Sequence, residues 1–533
     1  MKVFKKVMAI LLTVSTVFGL VACGGGKEGA AELTGESISV VVQTNGLGTD
    51  WIEDVAEQYT YETGIEVNVQ FDALLNSNLF TILSTDVMEC ADVYFGQTGD
   101  WADWLKNDLI VDITDIYTDS SDGKSLAERC LVQDYYVENT DGSKRYGMLP
   151  LSMGPIGMAY NKEMMDYLCH DVLGWEEGHD YPTTTAELTQ VTEALETTVK
   201  NGSNKELFSY SSAGETLDVK AWAWSGSIGT LEFLFKPWMQ QYWGKEKMNE
   251  FFAQQSNPDM FNDEAFYVCY QKIMDLLELT EGKDGTVSSA SSIPNCLSYN
   301  HTESQTQFLL GRALLVPAGS WLYSESTDLM ENLDAWGFMP VPTMTDAEGK
   351  ALSAEGVTVP TDENGNYVPY LGINSQDFMF IPKRSAKQDM AKDFLKYMFS
   401  EDALATIEEN IQAPICFECN DENIELNNWA KQVQGYVDSA VKADALCTTY
   451  STNPMFGVGA LNFVSDTLPY AKLSQGGYGS INKYYDSKTL KEIASPEAAT
   501  GIAITENVYK YVQWNYNYKL SHWQEYKQRL GIL

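Results

Sequence analysis

The 533-residue sequence predicts an α/β fold distributed over several domains. Three observations carry this. A strand–helix–strand alternation occupies residues 37–95, the pattern of a parallel sheet covered by helices. Similar alternation returns around 311–321 and 378–399. At about 150 residues per domain, the length asks for two to four domains.

Ser37–Val42 is a β-branched run and reads as a strand. A Gly-containing loop, 43–50, follows. Trp51, Val55 and Tyr59 recur at helical spacing, and Gly64 is placed to end that helix. Ile65–Val69 alternates apolar and polar residues as the next strand, and Asp92–Phe95 is a third, running into Gly96-Gln97. Gly311–Pro317 reads as a strand entering Ala-Gly-Ser-Trp321. Phe378–Pro382 reads as a strand feeding a helix over about 386–399, and the aromatic-rich tail 502–530 reads as helical.

Charge and residue types exclude several function classes. Asp and Glu number 75 against 35 Lys and Arg, a net charge of −40 that repels phosphate, so nucleic acid and anionic lipid are not expected partners. Four His without a close His/Cys cluster argue against a zinc enzyme. No G-x-x-x-x-G-K-[ST] loop is present, so the chain itself hydrolyses no ATP. No cofactor is implied. Hydrophobic residues at 44% and charged residues at 21% give a globular balance, which excludes wholesale disorder.

The first residues set the compartment. Lys2, Lys5 and Lys6 precede an apolar stretch from Val7 to Val21, the layout of a signal peptide over 1–22. It ends in Leu20-Val21-Ala22-Cys23, which resembles the bacterial lipobox. That resemblance implies cleavage before Cys23 and a lipid on its sulfur. The mature chain would then be anchored at the extracytoplasmic face of the cell membrane. Gly24–Glu36 reads as a flexible tether. Eight further cysteines are irregularly spaced; Cys416-Phe-Glu-Cys419 is a C-x-x-C without thioredoxin context or a second pair, so mostly free, buried thiols are expected.

Five segments, in order, are similar to the extracellular solute-binding proteins (family 1) of carbohydrate ABC importers, the group that includes maltose-binding protein. They are Tyr61–Val67, Ala91–Phe95, Tyr146–Pro150 with Met158–Lys162, Phe308–Trp321, and Phe380–Ser385 with Ala391–Leu395. Tyr299–Gln305 also resembles members that carry N-acetylglucosamine or chitobiose. The resemblance implies a two-lobed, periplasmic-binding-protein-like (type II) fold, with three crossing strands near 148–150, 338–342 and 374–378. The N-lobe would be 37–148 plus 340–400, and the C-lobe 149–339 plus 401–533. It implies a carbohydrate ligand in the cleft, a partner permease, and no catalysis.

Sugars offer hydroxyls and weakly apolar C–H faces, which flat aromatic rings and polar side chains match. The 13 Trp, 30 Tyr and 21 Phe suit that task, or fill a large core. Trp321, just past a strand, matches the family's sugar-stacking tryptophan; the alternative is packing between lobes. Gln97, Asp100 and Trp101 follow the third strand, where the family presents polar groups; the alternative for each is a solvated or core residue. Asn45 and Asp50 occupy the first strand–helix loop, and Asp50 also suits a helix N-cap. Trp222 and Trp224 can share a face only in an extended segment, so one ring facing the cleft is weighed against core packing. His301, with Thr302 and Gln305, belongs to the Tyr299 stretch and is a ligand contact or a structural histidine. Asp377 lies at a crossing, as a hydroxyl acceptor or a hinge hydrogen bond, and Ser152 is a weaker candidate. Trp238, Trp243, Trp336, Trp429, Trp514 and Trp523 default to core. The rival readings are an oligopeptide-binding lipoprotein, a surface glycoside hydrolase, which needs two carboxylates across a cleft, and a structural adhesin.

Overall fold

The computed structural model describes residues 30–448, apart from 86–89, 98–100, 122, 133–134, 226–227, 254–257, 282–286, 327–332, 375–376 and 420–423, together with scattered positions between 504 and 524. The signal peptide, Cys23, Trp514, Trp523 and most of the C-terminal helix lie outside the described residues.

The strands that build the two main sheets are β1 (Ser37–Gln43), β2 (Glu66–Asp72), β3 (Val93–Gly96), β4 (Leu149–Pro150), β5 (Pro155–Asn161), β6 (Lys220–Trp222), β7 (Ala313–Gly319), β8 (Trp336–Pro340), β9 (Leu371–Ile373), β10 (Phe378–Phe380) and β11 (Leu446–Thr448). The helices that matter below are α1 (Asp50–Thr63), α2 (Leu75–Ser84), α3 (Trp101–Lys106), α4 (Ile228–Trp243), α5 (His301–Leu309), α6 (Leu322–Ser326), α7 (Gln388–Met398), α8 (Glu401–Ile411) and α9 (Asn428–Lys442).

The first sheet has the order β2-β1-β3-β10-β4. Its β1–β2 and β1–β3 pairs are parallel, with Val40 opposite Val69 and Val42 opposite Phe95. The strand β10 runs antiparallel to β3 and β4, so the sheet is mixed rather than wholly parallel. The reason is connectivity: β10 enters from the other lobe instead of through a crossover helix. The second sheet has the order β6-β7-β5-β9-β11, with β8 also paired to β5.

Burial follows the strand alternation. Ile38, Val40 and Val42 face one core with Trp51, Val55 and Tyr59 of α1. Gly64 caps α1 at φ 72°, a left-handed turn that glycine adopts without Cβ strain. Asp92 ties this lobe together: it accepts from the N–H and hydroxyl of Ser39, each at 2.9 Å, and from the Ser385 hydroxyl at 2.7 Å. The second lobe buries a larger cluster around Met158, Trp222, Phe235, Trp238 and Phe266, which also takes up Val508 and Val512 of the tail. Trp243, Trp336 and Trp429 are buried as well.

Lobe membership departs from the sequence expectation at three places. The helix α8, assigned to the second lobe, packs on α1, where Gln58 donates to Thr406 and Asn410 to Asp54. Its buried face, Ala403, Leu404 and Ile407, completes the first core. Phe338–Pro342 is not a crossing: β8 pairs with β5, and the next residues stay in the second lobe, Thr343 donating to the Thr183 carbonyl. Two crossings link strand to strand, Leu151–Gly154 between β4 and β5 and the link from β9 to β10, and the chain crosses a third time, back to the second lobe, between α8 and α9. The helix α9 joins both cores, with Trp429 and Val433 in one and Val437 and Ala440 in the other. Of the expected tether, residues 31–34 dock on α1: Ala31 donates to the Tyr61 carbonyl and Thr34 to that of Gly64, each at 2.9 Å.

Removing the Asp92 carboxylate strands the Ser39 donors in a buried site. Asp92→Ala is expected to lower unfolding free energy by about 2–4 kcal/mol in urea titration. Asp92→Asn, which keeps one acceptor oxygen, is expected to lose less.

Candidate functional site: the cleft between the lobes

A cleft of about 320 Å³ opens where the two crossing segments separate the lobes. Crevices of about 750 and 640 Å³ also indent the first lobe, beside α1, but neither touches a crossing segment. Of these three, the smallest draws residues from both lobes and from both of these crossing segments, and such a site can respond to closure.

The first lobe contributes Asn45, Gly46 and Leu47 from the loop after β1, and Gln97 from the end of β3. Asn45 is fixed at both ends of its amide: its Oδ1 accepts from the Leu47 N–H and its Nδ2 donates to Asp377, each at 3.0 Å. The Gln97 N–H donates to Asn76 of α2, at 3.0 Å, and its side chain also bonds Asp377.

The crossings contribute Ser152, Gly154, Asn374 and Asp377. They are joined to one another: the Asn374 N–H donates to the Gly154 carbonyl at 3.1 Å, and the Leu151 N–H to the Asp377 carbonyl at 3.0 Å. Asp377 is only 9% exposed. Burial pushes its pKa up to about 6, while the hydrogen bonds from Gln97 and Asn45 act in the opposite sense.

The second lobe contributes Ser320 and Trp321 after β7, Ser324 and Glu325 of α6, and His301 at the start of α5. Two glycines make room for the indole. A methyl at Gly319 would fall 2.1 Å from Trp321 Cζ3, and one at Gly154 would fall 3.4 Å from it. The ring therefore lies across bare backbone. Phe233 of α4 meets it edge-on at 5.8 Å. Glu325 follows Trp321 by one helical turn and reaches across the mouth: a methyl on Gly46 would lie 3.0 Å from its Cγ. Burial raises the Glu325 pKa, with His301 and a hydrogen bond to Gln305 acting against the rise. His301 opens α5 behind Asn300, whose side chain accepts from the Glu303 N–H at 2.8 Å.

The structure thus gathers Trp321, Asn45, Gln97, His301, Asp377 and Ser152 around one cavity. Others are elsewhere. Trp222 and Trp224 are both buried, and the Trp222 Nε1–H donates to the Leu276 carbonyl at 3.0 Å. Residues 221–225 are buried without exception, so both faces of that extended segment are covered and alternation exposes neither ring. Trp101 is buried too, set edge-on to Tyr135 beneath α3. Asp50 is exposed in the first turn of α1, with Thr49 rather than Asp50 at the N-cap position. Asp100 lies outside the described residues.

Sequence reasoning missed Glu325 and Asn374. The i+4 spacing from Trp321 on a helix would have marked Glu325. Cys416 is a buried free thiol whose pKa burial raises, a poor redox centre. Among the described residues no group of three His, Cys, Asp or Glu is placed to hold a metal ion. Among them, too, no helix is long and apolar enough to cross a membrane.

Asp377 makes stability pH-dependent. Its folded pKa, about 6, lies above the ordinary carboxylate value of 3.8, so the native state holds this proton more tightly than the unfolded chain. Its contribution is full below about pH 4 and is lost as pH rises through about 6, by about 3 kcal/mol at 1.36 kcal/mol per unit. Asp377→Asn is expected to flatten that part of the curve in urea unfolding between about pH 4 and 7.5. Equal slopes in the two proteins would refute the assignment.

Residues 45–405 match the bacterial extracellular solute-binding protein family. A search of curated protein sequences finds no significant match. Among solved structures, apo RafE from Streptococcus pneumoniae superposes with a TM-score of 0.55 at 16% identity, over 92% of this chain and 100% of RafE. A chitin oligosaccharide binding protein gives 0.54 at 15%, over 91% and 99%. The GacH receptor of Streptomyces glaucescens, solved unliganded and with acarbose, gives 0.51 at 14%, over 91% and 98%. At these identities the likeness is one of fold, the two-lobed type II periplasmic-binding-protein-like architecture. The chain belongs to the bacterial extracellular solute-binding protein family.

Proposed function

We propose that this chain captures a saccharide in the interlobe cleft and delivers it to the permease of an ABC importer, itself performing no catalysis. The observation that carries the reading is Trp321: its indole lies across bare glycine backbone in the cleft, with amide, hydroxyl and carboxylate groups around it. A ring held flat offers a sugar C–H face a surface at little entropic cost. Asn45, Gln97, Asn374 and Asp377 offer the hydroxyls both donors and acceptors. The names of the structural neighbours are consistent with this class: raffinose, chitin oligosaccharide and acarbose appear among them. Cys23 carries the lipid in this reading, after removal of residues 1–22, and holds the protein at the extracytoplasmic face of the membrane. N-acetylglucosamine and chitobiose enter the ligand screen through the Tyr299–Gln305 stretch.

Closure is driven by differential affinity. A ligand that touches both lobes in the closed form shifts the population toward it. Micromolar binding amounts to about −8 kcal/mol, within reach of one stacked ring and several hydrogen bonds.

A thermal-shift screen of saccharides against oligopeptides tests the class. A saccharide is expected to raise Tm with concentration by mass action; a response to peptides alone sinks the reading. Chito-oligosaccharides recovered unshortened after incubation are expected, and shortened products would mean a hydrolase. Trp321→Ala is expected to weaken the saccharide by tenfold or more in calorimetry, and Trp321→Phe by less. Gly319→Val, which displaces the indole without removing it, is expected to resemble Trp321→Ala.

A further inference from the structure

We propose that the cleft prefers a small saccharide bearing a protonated amine over its neutral or N-acylated counterpart, the ammonium being held by the carboxylates of Asp377 and Glu325. This deepens the saccharide reading and rests on it.

The two carboxylates reach one cavity from separate parts of the chain, Asp377 from a crossing segment and Glu325 from α6 of the second lobe. At 320 Å³ the cavity is at the small end of ligand sites, about 300–1,000 Å³. It suits one or two sugar rings, against a lining that includes both acids.

The lining supplies no Lys or Arg, and His301 is its only basic side chain. The cationic influence of His301 falls on Glu325, not on Asp377. The stretches 98–100, 327–332 and 375–376, adjacent to lining residues in sequence, contain no Lys or Arg either. Among the described residues neither Asp377 nor Glu325 forms a Lys or Arg ion pair. Asp377 is met by neutral amides: Asn45 Nδ2 at 3.0 Å, and the Gln97 side chain.

Neutral hydroxyls can occupy the lone pairs of a carboxylate but leave its buried charge uncompensated. An ammonium brings three donors and the missing charge together. Glu325 is exposed, with its side chain against Gly46 of the first lobe.

The test uses sugars that differ only at one carbon: glucosamine, N-acetylglucosamine and glucose, and the disaccharides of glucosamine, N-acetylglucosamine and glucose joined β-1,4. Calorimetry at pH 7 on the full mature chain is expected to show an amine form bound at least tenfold tighter than its acetylated and hydroxyl counterparts. That preference is expected to shrink as salt is raised. It is expected to fall severalfold in Asp377→Asn and in Glu325→Gln, the latter at the solvent-facing mouth, where folding is not at stake. Equal or tighter binding of the acetylated or neutral sugars overturns the proposal while leaving the saccharide reading intact. A preference that survives both substitutions also overturns it. A broader screen in which no saccharide binds removes the saccharide reading, and this inference with it.

Discussion

One antiparallel ribbon runs through both lobes, and the cleft exists because of it. In the first sheet β4 pairs with β10, Leu149 opposite Met379; in the second, β5 pairs with β9, Ile156 opposite Gly372. Between them the same two strands stay joined by the Leu151–Asp377 and Asn374–Gly154 hydrogen bonds. The ribbon is continuous while the sheets on either side are not. Bending it rotates one core against the other without breaking a sheet. The residues at its middle, Ser152, Gly154, Asn374 and Asp377, are therefore those that line the cavity.

Local elements were legible wherever a face had to be buried. The β-branched run Ser37–Val42 marked β1, and the helical recurrence of Trp51, Val55 and Tyr59 marked α1, because one side of each is packed against the other. What could not be read was which lobe a segment joins. The helix α8 is amphipathic wherever it packs, and nothing in its residues names α1 as its partner. The antiparallel entry of β10 was equally hidden, since strand direction depends on the path of the whole chain.

The site was legible where two signals coincided. Trp321 has a strand before it and small residues around it, and the small residues are what let an indole lie flat on backbone. Trp222 and Trp224 had the strand alone. Their neighbours Ala221, Ala223 and Ser225 are also small, but there the space is filled by core from both sides. Aromatic abundance cannot separate the two cases, because burial on both faces of a segment is a property of what folds onto it. Asn45 and Asp377 stand 332 positions apart and meet only once the ribbon is formed.

Asp377 shows why such a site departs from the rules that govern the cores around it. A buried carboxylate met by amides lowers stability at neutral pH, and an asparagine there, which keeps an acceptor oxygen and carries no charge, would cost the fold less. Proteins keep such residues where function needs them, and perturbed carboxylates gather at working sites for that reason. Its position multiplies the effect. Its backbone belongs to the hinge ribbon, and its side chain holds Asn45 and Gln97 of the first lobe. In the proposed reading, a ligand that engages this carboxylate acts on the ribbon and the first lobe together, with Trp321 and Glu325 of the second lobe lining the same cavity. Recognition and closure would then be one event, because both pass through the same few atoms.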